Sequence, residues 1–91
     1  MNIKQLKNED FINFIEQEVG FKIKNLRTVM TRSGGQVVVS FEEPDNGFSQ
    51  TLMERFIFTN TSCKRQNNYV GISNLTEKWL TYIENLKGFT V

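Results

Sequence analysis

Cys63 is the only cysteine of the chain, and Lys64 and Arg65 follow it directly, in a stretch that also holds Asn67, Asn68 and Tyr69. Adjacent cations favour a thiolate, so this is where nucleophilic sulfur chemistry would sit. Such a nucleophile also needs a base, and the sequence contains no histidine. With one cysteine and no histidine, metal sites built from nitrogen and sulfur ligands are excluded as well. Carboxylates remain, and Glu42, Glu43 and Asp45 stand together around Pro44. General acid–base work requires a pocket that shifts a pKa, whereas this segment reads as a solvated turn. Ser33-Gly34-Gly35 joins two strand patterns and opens no helix, so it is a hairpin turn and not a phosphate cradle. No catalytic constellation and no cofactor site is left, and the chain reads as non-enzymatic.

The elements that position these residues follow from the apolar spacing. Ninety-one residues make one small domain, residues 1–91, and a hydrophobic fraction of 38% with eight Phe, two Tyr and one Trp supplies a core without metal or disulfide. Phe11, Ile12, Ile15 and Val19 lie on one face of a helix from Asn8, as cap, to Val19, with Gly20 as its stop. From Phe21 the period becomes two, which predicts a strand to about Arg32 with a bulge near Asn25 where the parity shifts. Gln36 to Glu42 is a second strand, and Glu43-Pro44-Asp45-Asn46-Gly47 a second turn. A third strand runs from Phe48 to about Asn60, with Phe48, Leu52, Phe56 and Phe58 inward and Thr51, Met53, Arg55, Ile57 and Thr59 outward. Thr59 to Asn68 reads as an exposed connection with Lys64 and Arg65 at its tip. Tyr69 to Ser73 is a possible short edge strand. Asn74 with Glu77 opens a closing helix whose core stripe is Leu75, Trp79, Ile83 and Leu86, ended by Gly88. The fold class is therefore α+β: an antiparallel sheet of three to four strands with two helices on one face, in the order α-β-β-β-(β)-α.

Charge and composition bound the partners. The formal net charge of +1 belongs neither to a strong nucleic-acid binder nor to an acidic DNA mimic. No apolar run has the length of a membrane span or the flanks of a signal peptide, and a lone cysteine forms no internal bridge, which predicts a cytoplasmic setting without membrane partners. The sequons at Asn60 and Asn74 are then incidental. Two surfaces are candidates for partner binding: the outward sheet residues Met53, Arg55 and Ile57, which leave apolar groups ringed by arginine, and the connection bearing Lys64, Arg65, Asn67 and Tyr69.

The cations Lys22, Lys24, Arg27 and Arg32 along the first strand, with Lys64 and Arg65 before the last helix, give an order that resembles the double-stranded RNA-binding domain. That family carries a lysine-rich motif on the first turn of its final helix. Here the turn is Leu75-Thr76-Glu77-Lys78, so Lys78 alone carries over as a phosphate contact. The resemblance implies a small nucleic-acid-binding domain. A second resemblance rests on size and composition: a chain without alanine or histidine, rich in Asn, Phe, Ile and Lys, as low-GC coding produces, is similar to small phage and mobile-element inhibitors such as anti-CRISPR proteins. It implies a module that binds a host protein or ribonucleoprotein complex and inhibits or modulates it.

Overall fold

The computed structural model describes residues 3–42, 53–66 and 74–86. After a 3-10 turn at Ile3–Gln5 come α1 (Asn8–Val19), β1 (Thr28–Ser33), β2 (Gln36–Glu42), β3 (Met53–Phe58), β4 (Cys63–Arg65) and α2 (Leu75–Leu86). The strands form one antiparallel sheet in the order β1-β2-β3-β4. Both helices cover the same face, giving an α+β domain with four strands among the described residues.

The period-two pattern of β2 and β3 decides which face the helices cover. Val37, Val39, Phe41, Phe56 and Phe58 point inward and are buried, and they meet Phe11, Phe14 and Ile15 of α1 and Leu75, Trp79 and Ile83 of α2. Aromatic rings occupy the centre. Phe58 lies 4.6 Å from Trp79 and 5.1 Å from Phe11 between ring centroids, and Phe41, Phe56 and Phe58 stack along the sheet at 6.1 and 6.3 Å. The Trp79 indole donates to the Thr59 carbonyl at 3.2 Å, so its polar edge is satisfied inside the core.

The helix bounds agree with the sequence, while the entry to α1 does not. Lys7, not Asn8, occupies the cap position, and its N–H donates to Asp10 Oδ2 at 2.9 Å. Asn8 is the first helical residue, and its side-chain oxygen accepts from Arg32 Nη2 at 2.9 Å. Gly20 closes the helix with φ of 83° and an N–H to the Glu16 carbonyl, a conformation that glycine adopts at little cost.

The first strand begins seven residues later than the alternation predicts, at Thr28, and there is no bulged strand at Asn25. The cause is Glu16. Its buried carboxylate accepts the Ile23 N–H at 2.8 Å and the Lys24 N–H at 3.3 Å, while the Ile23 carbonyl accepts from Leu26 N–H and Thr28 Oγ1. With these main-chain groups bonded locally, residues 21–27 make an irregular crossing whose apolar side chains still anchor it, Ile23 buried and Phe21 against Phe41.

The connection after β3 also differs. Of the connection expected over Thr59 to Asn68, the described part, to Gln66, is not an exposed loop: Asn60 and Thr61 form the tip of a tight hairpin, closed by Thr59 N–H to the Ser62 carbonyl at 2.9 Å, and Cys63–Arg65 returns as β4 beside β3. Thr59 Oγ1 and Ser62 Oγ, 2.7 Å apart, stabilise that turn, and Asn60 Oδ1 accepts the Ile3 N–H at 2.7 Å. The Gly34-Gly35 turn between β1 and β2 is as expected, with positive φ at Gly34. The second turn at 43–47, the early part of the third strand, the edge strand at 69–73 and Gly88 lie outside the described residues. Among the described residues no helix is long and apolar enough to cross a membrane.

Candidate interaction surface

The sheet has a second face, and among the described residues no helix lies on it. The register sets out its rows: Val29 beside Ser40 beside Arg55, then Thr31 beside Val38 beside Ile57 beside Lys64, with Glu42 beside Met53 at one end. Met53 and Val29 are the most exposed large apolar residues described, at 58% and 55%, and Val38 and Ile57 are half-buried between neighbouring strands. Arg55 lies across the strands instead of rising from them. Its Nε donates to Ser40 Oγ and its Nη1 to Gln66 Oε1, both at 3.3 Å. The guanidinium is thereby held in the plane of the face, with its aliphatic stem alongside Ile57 and Met53 in the strand order.

Of the sequence candidates, Met53, Arg55, Ile57 and Lys64 come together on this face. Arg65 does not, because as a member of β4 it points to the opposite side. There its Nε and Nη2 donate to Glu54 Oε2 and Oε1 at 2.8 and 2.7 Å, its guanidinium sits 5.7 Å from the Phe56 ring centroid, and its side chain is 15% exposed. A tip position for Lys64 and Arg65 is thus corrected to adjacent strand positions on opposite faces. Asn67 and Tyr69 lie outside the described residues. Val29, Ser40 and Gln66 complete the surface and were not singled out from sequence; once β1 starts at Thr28, alternation alone places Val29 outward.

Burial and pairing decide the chemistry of Cys63 and of several cations, while Glu43 and Asp45 lie outside the described residues. Cys63 is buried, and desolvation, aided by the charge of Glu18, pushes its thiol well above the ordinary range. A thiol held in its neutral form is a poor nucleophile, whatever the cations beside it in sequence. Among the described residues no three Cys, Asp or Glu side chains gather closely enough to hold a metal ion. Several cations are engaged within the fold: Arg32 donates to the Leu6 carbonyl at 2.9 Å and lies over the Phe11 ring, Lys78 pairs with Glu18 at 3.2 Å, and Lys22 stands 3.8 Å from Glu16. Comparison with family models, curated proteins and solved structures finds no match to this chain.

Proposed function

We propose that this protein is a non-enzymatic interaction module that binds another protein through the open face of its sheet. The observation that carries the reading is the aliphatic set Val29, Val38, Met53 and Ile57 arranged around a guanidinium fixed flat by Ser40 and Gln66. An arginine already held in place loses little conformational entropy on binding, and apolar groups around it are what the centre of a protein interface is made of. Among the described residues of this face Arg55 and Lys64 outnumber Glu42, so the partner surface is apolar at its centre and carboxylate-bearing at its rim.

The same face weighs against nucleic acid. Sheets that read single strands stack bases on aromatic side chains, and the described apolar residues of this face, Val29, Val38, Met53 and Ile57, are aliphatic. Arg32 and Arg65, two of the cations behind the RNA-binding resemblance, are held by internal partners, and Lys78 faces Glu18. Small size, near-neutral charge and low-GC composition support the narrower proposal of a phage or mobile-element module acting on a host complex in the cytoplasm, anti-CRISPR proteins being the group it is similar to.

The test is Arg55→Glu, an outward charge reversal at an exposed residue; it gives up the two 3.3 Å hydrogen bonds to Ser40 and Gln66, so a thermal melt first establishes that the variant is folded. The folded variant loses a host protein that the parent retains in affinity capture, and that retention survives nuclease and moderate salt, which strip a phosphate-neutralising protein from nucleic acid. Equal capture by the folded variant, or capture abolished by nuclease, would remove the open face as a protein-binding surface.

A further inference from the structure

The two edges of the sheet are not alike. Gln66 N–H donates to the Arg55 carbonyl at 2.8 Å, which fixes Arg55 as a residue whose main chain faces β4. Antiparallel ladders alternate, so the phase carries across the register: Phe56 and Glu54 face β2, Val38 and Ser40 face β1, and in β1 it is Val29, Thr31 and Ser33 that face back to β2. The N–H and C=O groups of Thr28, Met30 and Arg32 therefore point away from the sheet, and no described residue bonds to them through its backbone. At the other edge, the outward N–H and C=O of Cys63 are both bonded to the Thr76 hydroxyl of α2, at 3.3 and 3.2 Å.

Edges of folded proteins are normally guarded by proline, lysine, a bulge or a covering element. Among the described residues β1 has none of these: its sequence is Thr-Val-Met-Thr-Arg-Ser, and its one cation, Arg32, is drawn back onto Leu6, Asn8 and the Phe11 ring. We propose that β1 pairs with β1 of a second copy, antiparallel about a two-fold axis at Met30, joining the two sheets into one.

The sequence of β1 suits that register. Residues whose main chains point outward must oppose one another, so Met30 meets Met30, and Thr28 meets Arg32 of the other copy in each half, for about six main-chain hydrogen bonds. Val29 then lies beside Thr31 of the other copy, and no charge faces a like charge. The isologous pairing closes on itself. Head-to-tail addition of β1 to β4 would instead propagate into a filament, and Thr76 occupies that edge. A foreign strand could use the same edge by its main chain; a second copy does so in a register that opposes no like charges and closes on itself. Pairing shields Val29, at one margin of the open face, and leaves Met53, Arg55 and Ile57 open on both copies, so it does not depend on the function proposed above. One strand pair buries less than the roughly 1,200–2,000 Å² of a standard interface, so the dimer dissociates on dilution.

Sedimentation equilibrium from the low micromolar to the millimolar range should show a reversible monomer–dimer exchange with no larger species. Met30→Pro removes an outward N–H, a change edge positions tolerate, and should leave a cooperative melt but only monomer. Where that variant fails to fold, register-specific crosslinking still decides: under oxidation a mixture of Val29→Cys and Thr31→Cys proteins should form mixed disulfides well above either alone, since these positions oppose each other, while Cys63 is buried and silent. A parent that stays monomeric at millimolar concentration, a folded Met30→Pro variant that still dimerises, or crosslinking that ignores the register would each overturn the proposal. The first outcome would leave the edge to a foreign strand.

Discussion

Arg65 grips Glu54 through two parallel hydrogen bonds of 2.8 and 2.7 Å on the helix side of the sheet, where Glu54 is 1% exposed. The two residues belong to neighbouring strands, and the fork-to-carboxylate geometry fixes how β4 seats against β3 as much as the three-residue ladder does.

Truncating that fork should show its weight. Arg65→Met keeps the aliphatic stem over Phe56 and removes the charge facing a buried carboxylate, a change that costs about 3–5 kcal/mol. The companion change Glu54→Leu, made in the Arg65→Met background, should recover most of the loss, because a matched apolar pair leaves no uncompensated charge at this position. Chemical denaturation of the single and double variants checks both signs. A single variant as stable as the parent would show that β4 is seated by its ladder alone.

Cys63 gives a chemical readout of the same hairpin. Its thiol is held neutral by burial, so iodoacetamide should label the native protein only as fast as β4 opens, and labelling should become rapid in denaturant. The pH dependence follows from the direction of the shift. The folded pKa lies above the unfolded value of about 9.0, so the folded state keeps a proton that the unfolded chain gives up. Below that pH the group contributes no slope, and above it stability falls as pH rises. Melts of the parent and of Cys63→Val from neutral to alkaline pH should diverge on the alkaline side only.

How much of this was legible in the sequence depended on where the determining partner lay. α1 was readable in its bounds, though not in its cap, because Phe11, Ile12, Ile15 and Val19 carry a helical period and Gly20 ends it locally. The inward and outward assignments of β3 were readable too, since alternation needs no knowledge of the neighbour. β4 was not: Cys63-Lys64-Arg65 is short and charge-rich, and what makes it a strand is a carboxylate on β3 and a hydroxyl on α2. The parity of Phe56 and Phe58 puts Glu54 on the core face, and a core-facing acid with an arginine a hairpin away was the available signal. Phe21 and Ile23 misled for the opposite reason. Their alternation is real in burial, but Glu16, seven residues before Ile23, takes the N–H groups of Ile23 and Lys24. The open face was legible at Met53, Arg55 and Ile57, where alternation suffices, and not at Ser40 or Lys64, which depend on strand pairing, whereas the unequal edges follow only from the hydrogen-bond phase across four strands.

That inequality of edges yields the last prediction, at Thr76. Its hydroxyl accepts from the Cys63 N–H and donates to the Cys63 carbonyl, so one side chain satisfies both outward groups of that edge residue. Thr76→Val keeps the volume and removes both bonds, leaving main-chain polar groups at a half-buried site, which costs about 1–3 kcal/mol. The second effect is on assembly. With Thr76 unable to cover it, the β4 edge presents free groups that the open β1 edge of another copy can meet, and that pairing is head-to-tail and does not close. Thr76→Val should therefore melt at a lower temperature and show species larger than a dimer in sedimentation velocity at high concentration, while Thr76→Ser, which retains the hydroxyl, should do neither to the same degree. A Thr76→Val protein that matches the parent in both measurements would show that the hydroxyl does not guard the edge.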